Sequence, residues 1–256
     1  MTRTRSPWLI GLAVLFVLTV ATAGVSELIS ETFHGRSVED RTLTSAVARL
    51  ELDADQGDVE IVPSPDGDVH VRTDAAYGLR EPVLTRESTA TGVRLASRCR
   101  DGVVAASCRV GWTVAVPAGF TVDVDAGAGS LKVRDLTGPV TLKALGDVEL
   151  SGLSGDVTAR STYGDITGAG LRSGSVTVAS ISGDVDLTLT VPPHSVSATV
   201  TAVGDVSLAV PGSQAYRVDA EPGRFGDRKV TVPQDPASLS ILRAVTGGGT
   251  VTLRPL

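Results

Sequence analysis

Gly146-Asp147-Val148-Glu149-Leu150-Ser151-Gly152-Leu153-Ser154-Gly155-Asp156-Val157-Thr158-Ala159-Arg160-Ser161-Thr162-Tyr163-Gly164-Asp165-Ile166 is the stretch that decides the fold class. Gly-Asp followed by Val or Ile recurs every nine residues, and behind each the chain alternates apolar and polar side chains. A period of two, rich in β-branched residues, marks a half-buried strand and not a helix. The pattern extends outward in both directions. Gly129, Gly138, Gly146, Gly155, Gly164, Gly174 and Gly183 follow one another at steps of 9, 8, 9, 9, 10 and 9 residues. Gly204-Asp205-Val206 and Gly249-Thr250-Val251 echo the unit later, and Gly57-Asp58-Val59 and Gly67-Asp68-Val69 anticipate it. A short fixed period means a repeat architecture, in which stacked units bury a core that none could bury alone.

Two kinds of turn alternate. Asp135-Leu136-Thr137-Gly138, Gly152-Leu153-Ser154-Gly155 and Gly170-Leu171-Arg172-Ser173-Gly174 form one series. Ala144-Leu145-Gly146-Asp147, Thr162-Tyr163-Gly164-Asp165 and Ile181-Ser182-Gly183-Asp184 form the other. Alternating corners imply a circuit of about eighteen residues holding two strands and two bends. The expected fold is therefore all-β, a single-stranded β-solenoid (β-helix) flattened into two facing sheets, with a three-sided coil left open. Leu131, Val133, Val140, Leu142, Val148 and Leu150 should point inward, as should Val157, Ile166, Val176, Val178, Val185 and Leu187. Leu136, Leu145, Leu153, Leu171 and Ile181 should fill the corners.

The repeat glycines suit corners that need positive φ or leave no room for a Cβ. Asp147, Asp156, Asp165, Asp184 and Asp205 have a structural use beside them, because a short carboxylate accepts hydrogen bonds from turn amides. A calcium-binding nonapeptide roll has a similar period, but it carries doubled glycines and more carboxylates per turn. One carboxylate per turn falls short of the six to eight oxygens that calcium takes. No metal site is expected.

The 256 residues carry a net charge of −6, and only 4% are aromatic. No basic stripe interleaved with aromatics is present, which excludes a nucleic-acid partner. Arg3 and Arg5 precede an uncharged apolar stretch, with Glu27 and Glu31 after it, so the remainder of the chain should face outward. Residues 1–6 read as a short cytoplasmic N-terminus, 7–26 as a transmembrane helix anchoring the chain, 27–44 as a spacer, and 45–256 as the extracytoplasmic repeat domain. The apolar stretch is just long enough to span a bilayer. Ala21-Thr22-Ala23 also fits a cleavable signal peptide, which would release a secreted protein. Either fate exports the domain, giving a single-pass membrane or secreted location.

Cys99 and Cys108 are the only cysteines. In an exported chain an even count reads as a disulfide, here closing a hairpin around Asp101-Gly102. Their spacing is far from C-x-x-C, and no histidine lies near enough to activate a thiolate. His34, His70 and His194 lie in no nucleophile motif and at no metal-ligand spacing. Gly127-Ala128-Gly129-Ser130 and Gly247-Gly248-Gly249-Thr250 are each followed by strand-like runs, whereas a phosphate loop must open a helix. No catalytic, cofactor-binding or metal residues are assigned.

The order of these features resembles a family of bacterial putative adhesins, built of Gly-Asp-Val strands and classed as a domain of unknown function. The residues that carry the resemblance are Cys99 and Cys108, Val114-Ala115-Val116-Pro117-Ala118-Gly119, and the Gly-Asp-Val series from 129 to 187. Val191-Pro192-Pro193 and the ending Thr246-Gly247-Gly248-Gly249-Thr250-Val251 complete it. It covers roughly residues 45–256 and lends no catalytic residues. The expectation is a non-enzymatic, membrane-tethered adhesin or envelope scaffold whose partner is an envelope or surface protein or a glycan. The alternatives are the ectodomain of an envelope-stress sensor, and a polysaccharide hydrolase or lyase with paired carboxylates roughly 5–10 Å apart.

Overall fold

From residue 45 onward, short β-branched runs between glycine corners leave no stretch with helical periodicity, and the strand content there follows from that. The computed structural model describes residues 35–78, 80–99 and 108–256, and every regular element among them is a β-strand. The first seven are β1 (Gly35–Leu43), β2 (Arg49–Gln56), β3 (Val59–Pro63), β4 (Val69–Tyr77), β5 (Val83–Thr89), β6 (Gly92–Arg98) and β7 (Arg109–Val116). Next come β8 (Thr121–Ala128), β9 (Leu131–Arg134), β10 (Val140–Ala144), β11 (Val148–Ser151), β12 (Val157–Ser161), β13 (Ile166–Leu171) and β14 (Ser175–Ser182). The last are β15 (Val185–Leu189), β16 (Ser195–Val203), β17 (Val206–Val210), β18 (Arg217–Glu221), β19 (Arg228–Val230), β20 (Ile241–Thr246) and β21 (Val251–Pro255).

They assemble into two sheets. The first has eleven strands in the order β1-β4-β7-β3-β9-β11-β13-β15-β17-β21-β19; the second has ten, β18-β20-β16-β14-β12-β10-β8-β2-β6-β5. From β8 to β17 successive strands alternate between the sheets, each parallel to its neighbours. Equivalent residues sit side by side: Val148 pairs with Leu131 on one side and Ile166 on the other, and Val157 with Val140 and Val176.

The expected single-stranded β-solenoid is corrected by this topology, because both sheets are mixed. β4 runs antiparallel between β1 and β7, and β5 runs antiparallel on β6. The connection between β5 and β6 is only Ala90-Thr91, and so short a link can only reverse the chain. β2 lies between β8 and β6, and β7 between β4 and β3, so strand order departs from a uniform coil at that end. β18 and β19, at the other end, lack the Gly-Asp-Val unit. Among the described residues no helix is long and apolar enough to cross a membrane, and the 7–26 segment lies outside them. β1 falls inside the stretch read as a spacer.

The core runs between the sheets. All twelve residues expected to face inward are buried. Trp112 is the largest side chain there, and its indole Nε1 donates to Ser97 Oγ at 3.2 Å. The Cys99–Cys108 disulfide joins chain segments whose Cα atoms are 5.9 Å apart. It follows β6 of the second sheet and precedes β7 of the first, so it staples the two sheets together. That corrects the hairpin reading; residues 100–107 lie outside the described part.

Candidate functional site

Each circuit turns twice, and the two corners are built differently. On one side Leu136, Leu153 and Leu171 are fully buried. They stack through backbone bonds, with the Ser154 N–H donating to the Leu136 carbonyl and the Arg172 N–H to that of Leu153. This corner is interior packing. Asp156 lies here, and its neighbours across the ladder are Pro139 and Ser175.

The opposite corner, leading from the second sheet into the first, carries Gly146-Asp147, Gly164-Asp165, Gly183-Asp184 and Gly204-Asp205. Its aspartates form a ladder. Asp147 Oδ1 accepts the Asp165 N–H at 3.0 Å, Asp165 Oδ1 the Asp184 N–H at 2.7 Å, and Asp184 Oδ1 the Asp205 N–H at 2.7 Å. Asp205 Oδ1 accepts the Thr250 N–H at 2.7 Å, and Thr250 Oγ1 accepts the Asp227 N–H at 3.3 Å. At the other end Asp58 Oδ1 accepts from both the N–H and the hydroxyl of Ser130, each at 2.9 Å. Those bonds hold the Asp58 carboxyl below the usual carboxylate range. At this corner each carboxylate caps a backbone N–H of the next circuit.

Glycine is required where circuits approach most closely. A Cβ on Gly164 would collide with the Gly146 carbonyl carbon and the Asp147 nitrogen. Ser161 Oγ closes this corner, donating to the Gly146 carbonyl at 2.8 Å and accepting the Gly164 N–H at 3.0 Å. Gly129, Gly183 and Gly204 also lie on this corner; Gly138, Gly155 and Gly174 lie on the opposite one.

The same corner exposes what its counterpart buries. Leu145 is 49% exposed, Tyr163 75%, Ile181 48% and Val203 67%. Leu145 and Ile181 were expected to fill the corner from inside, so this is a correction. Each apolar residue sits two or three positions before its aspartate, so an apolar ridge runs beside the acidic row. After Gly248, which neighbours Val203, the last circuit brings Phe225, 93% exposed, two residues before Asp227. Adjacent circuits are bonded through this ridge: the Tyr163 N–H donates to the Leu145 carbonyl at 3.0 Å and the Gly183 N–H to that of Val203 at 3.0 Å. The segments 144–147, 161–165, 180–184 and 201–205 contain no Lys or Arg.

Other polar groups have local partners. His70 Nε2 meets Asp66 Oδ1 at 2.7 Å and its Nδ1 meets Thr42 Oγ1 at 3.2 Å. The His70 bond, with those from Ser64 and the Asp68 N–H, pulls the Asp66 carboxyl down to about 2. The His194 backbone N–H donates to the Gly174 carbonyl at 2.8 Å, and His34 lies outside the described residues. Among the described residues no three His, Cys, Asp or Glu side chains converge as a metal would need. Sequence reasoning missed Arg86, whose side chain is 7% exposed; it pairs with Glu39, donates to Thr73 Oγ1 at 2.6 Å, and lies 6.0 Å from the Trp112 ring centre. The pair spans the two sheets at the β1/β5 end.

No family profile and no curated protein matches the chain. Four solved structures are similar at low identity, among them the following three. A putative adhesin from Bacteroides fragilis is 13% identical, with a TM-score of 0.42, covering 86% of this chain and 97% of that one. A putative adhesin from Parabacteroides merdae is 10% identical, TM-score 0.39, covering 86% and 96%. A putative cell adhesion protein from Clostridium sporogenes is 12% identical, TM-score 0.36, covering 87% and 100%. Those names belong to those proteins.

Proposed function

We propose that residues 45–256 form a non-catalytic binding module held outside the cytoplasmic membrane, adhesive or scaffolding in role, whose partner is an envelope or surface macromolecule. The observation that carries this reading is the apolar ridge on the acidic corner. Exposed apolar rows cost solubility without adding to the core, and contiguous patches of this kind mark interaction sites. The contrast with the buried leucines of the other corner supports a binding role, since the same chain places similar residues inside when packing is their purpose. Export is supported by Arg3, Arg5 and the apolar stretch that follows.

Beads coated with residues 35–256 test the role through their adherence to envelope preparations of the source cells. The triple substitution Leu145→Ser, Tyr163→Ser, Val203→Ser should abolish adherence while leaving the melting temperature within a few degrees of the parent. Unchanged adherence would refute the ridge as the binding surface. Protease accessibility of the full chain on intact cells checks the location.

A further inference from the structure

The corner also carries enough geometry to say what binds it. Resting on the binding role just proposed, we infer that the ridge and its acidic row receive a cationic amphipathic α-helix, its apolar stripe on Leu145, Tyr163, Val203 and Phe225 and its Lys or Arg flank on Asp147, Asp165, Asp184 and Asp205.

Three features select that occupant. The first is charge. The aspartates are exposed, each uses one oxygen to cap the next circuit, and their own segments hold no Lys or Arg to neutralise them; Arg224 and Arg228 flank Phe225 and Asp227 in the last circuit, so the uncompensated charge lies between Asp147 and Asp205. A partner must bring positive charge beside its apolar groups, and an anionic lipid surface would be repelled. A second copy docking through the same corner would set acid against acid, on a chain whose net charge is already −6.

The second is the backbone. At this corner the circuits bond to one another: Leu145 N–H to the Ala126 carbonyl at 3.2 Å, Tyr163 N–H to Leu145, Ser182 N–H to the Thr162 carbonyl at 3.2 Å. An added strand recruits free backbone groups at a sheet edge, and these are already engaged with each other. The partner must therefore be read through side chains.

The third is spacing. Circuits repeat about every 4.8 Å along the sheets, so from Leu145 to Phe225, five circuit steps, the ridge runs about 24 Å. A helix presents one ridge of side chains per turn of about 5.4 Å and covers that length in about 16 residues. Its mismatch of about 0.6 Å per step accumulates to only about 3 Å, within reach of a Lys or Arg stem. A strand presents one face every ~6.7 Å and loses step after two or three circuits.

The test uses an 18-residue peptide of Leu and Lys in helical amphipathic pattern, the same pattern with Glu for Lys, and an 18-residue oligolysine. Binding to residues 35–256 is followed by calorimetry at 50 and 300 mM NaCl, and peptide helicity by circular dichroism. The Leu/Lys peptide should bind, gain helix on binding and weaken with salt. Its affinity should fall about tenfold or more both in the Asp147→Asn, Asp165→Asn, Asp184→Asn, Asp205→Asn variant and in the Leu145→Ser, Tyr163→Ser, Val203→Ser variant, with melting temperatures showing both still folded. Equal binding of oligolysine or of the Leu/Glu peptide would overturn the inference, as would a dimer that the apolar substitutions dissolve. Adherence lost in the ridge variant without any Leu/Lys binding sinks the helix and leaves the binding module standing. Adherence and peptide binding both untouched by the ridge variant sink both.

Discussion

Asp165 sits in the middle of the acidic row, where two opposed effects of similar size meet, and salt decides between them. Its Oδ1 accepts the Asp184 N–H at 2.7 Å while its own N–H is capped by Asp147. A hydrogen bond to a charged acceptor contributes about 1.5–3 kcal/mol and a neutral one about 0.5–1.5, so Asp165→Asn weakens the cap by about 1 kcal/mol. The substitution also removes repulsion from the carboxylates one circuit above and below. At about 4.8 Å in water that is about 0.9 kcal/mol each before screening. With Debye lengths of about 30 Å at 0.01 M and 3 Å at 1 M, the sum over both neighbours falls from about 1.5 to about 0.4 kcal/mol. Asp165→Asn should therefore be stabilising by about 0.5 kcal/mol in dilute buffer and destabilising by a similar amount in 1 M NaCl, by the same screening. Asp165→Ala loses the cap entirely, and at 0.15 M should melt about 2–4 °C below the parent. Asp156→Asn is the control, because Pro139 and Ser175 flank Asp156 in place of acids. Urea titrations of the three variants across the salt series measure this. An equal salt response in Asp156→Asn and Asp165→Asn would refute the stacked-carboxylate account.

Four further outcomes follow from the packing. Val148→Asp places an unpaired carboxylate between the sheets and should cost several kcal/mol, read as a lower urea midpoint. Removing the staple with Cys99→Ser and Cys108→Ser should cost about 2–3 kcal/mol in the chain-entropy account of a roughly ten-residue loop; free-thiol titration of the parent should find none without reductant. Glu39→Gln leaves the guanidinium of Arg86 without its charge partner, but Glu39 is 42% exposed, so the loss should be about 1–2 kcal/mol and not the 3–5 of a fully enclosed pair. Asp66, held to about 2, lies below its ordinary value, so its contribution is present above about pH 4 and lost as pH falls toward 2. Its NMR titration midpoint should rise in His70→Ala, and a midpoint unmoved by that substitution would refute the pairing.

Between Gly129 and Leu187 strand positions and inward register were legible because a period of two admits only one buried face once the glycines fix where each strand begins, whereas β1, with no such glycine series, lay in the stretch read as a spacer. Val148, Val157 and Ile166 all follow from that rule. Sheet order was not legible. Whether β4 pairs with β3 or reaches past it to β7 depends on contacts between segments distant in sequence, and alternation is the same for parallel and antiparallel neighbours. Corners escape the rule of two altogether, so Leu136 and Leu145 look alike in the sequence although one is enclosed and the other exposed. One signal could have separated the aspartates. Asp147, Asp165, Asp184 and Asp205 recur at intervals of 18, 19 and 21 residues, whereas the positions one circuit either side of Asp156 hold Pro139 and Ser175. Arg86 offered no such sign, because Glu39 is 47 residues away.

Those unequal intervals have a consequence for how such a chain can change. The extra residues are absorbed at corners and strand ends: the register between β14 and β16 slips after Ser180, where Ser182 comes to lie beside Val203, while Val176 still sits on Val196. Length variation is thus decoupled from core register. Residues inserted at the exposed corner would lengthen or re-aim the ridge circuit by circuit, leaving the valine and leucine rows untouched. Lineages that keep the scaffold can drift in what they hold, and an engineer can graft recognition loops at Tyr163 or Val203 one at a time, each addressable at its own height along the molecule.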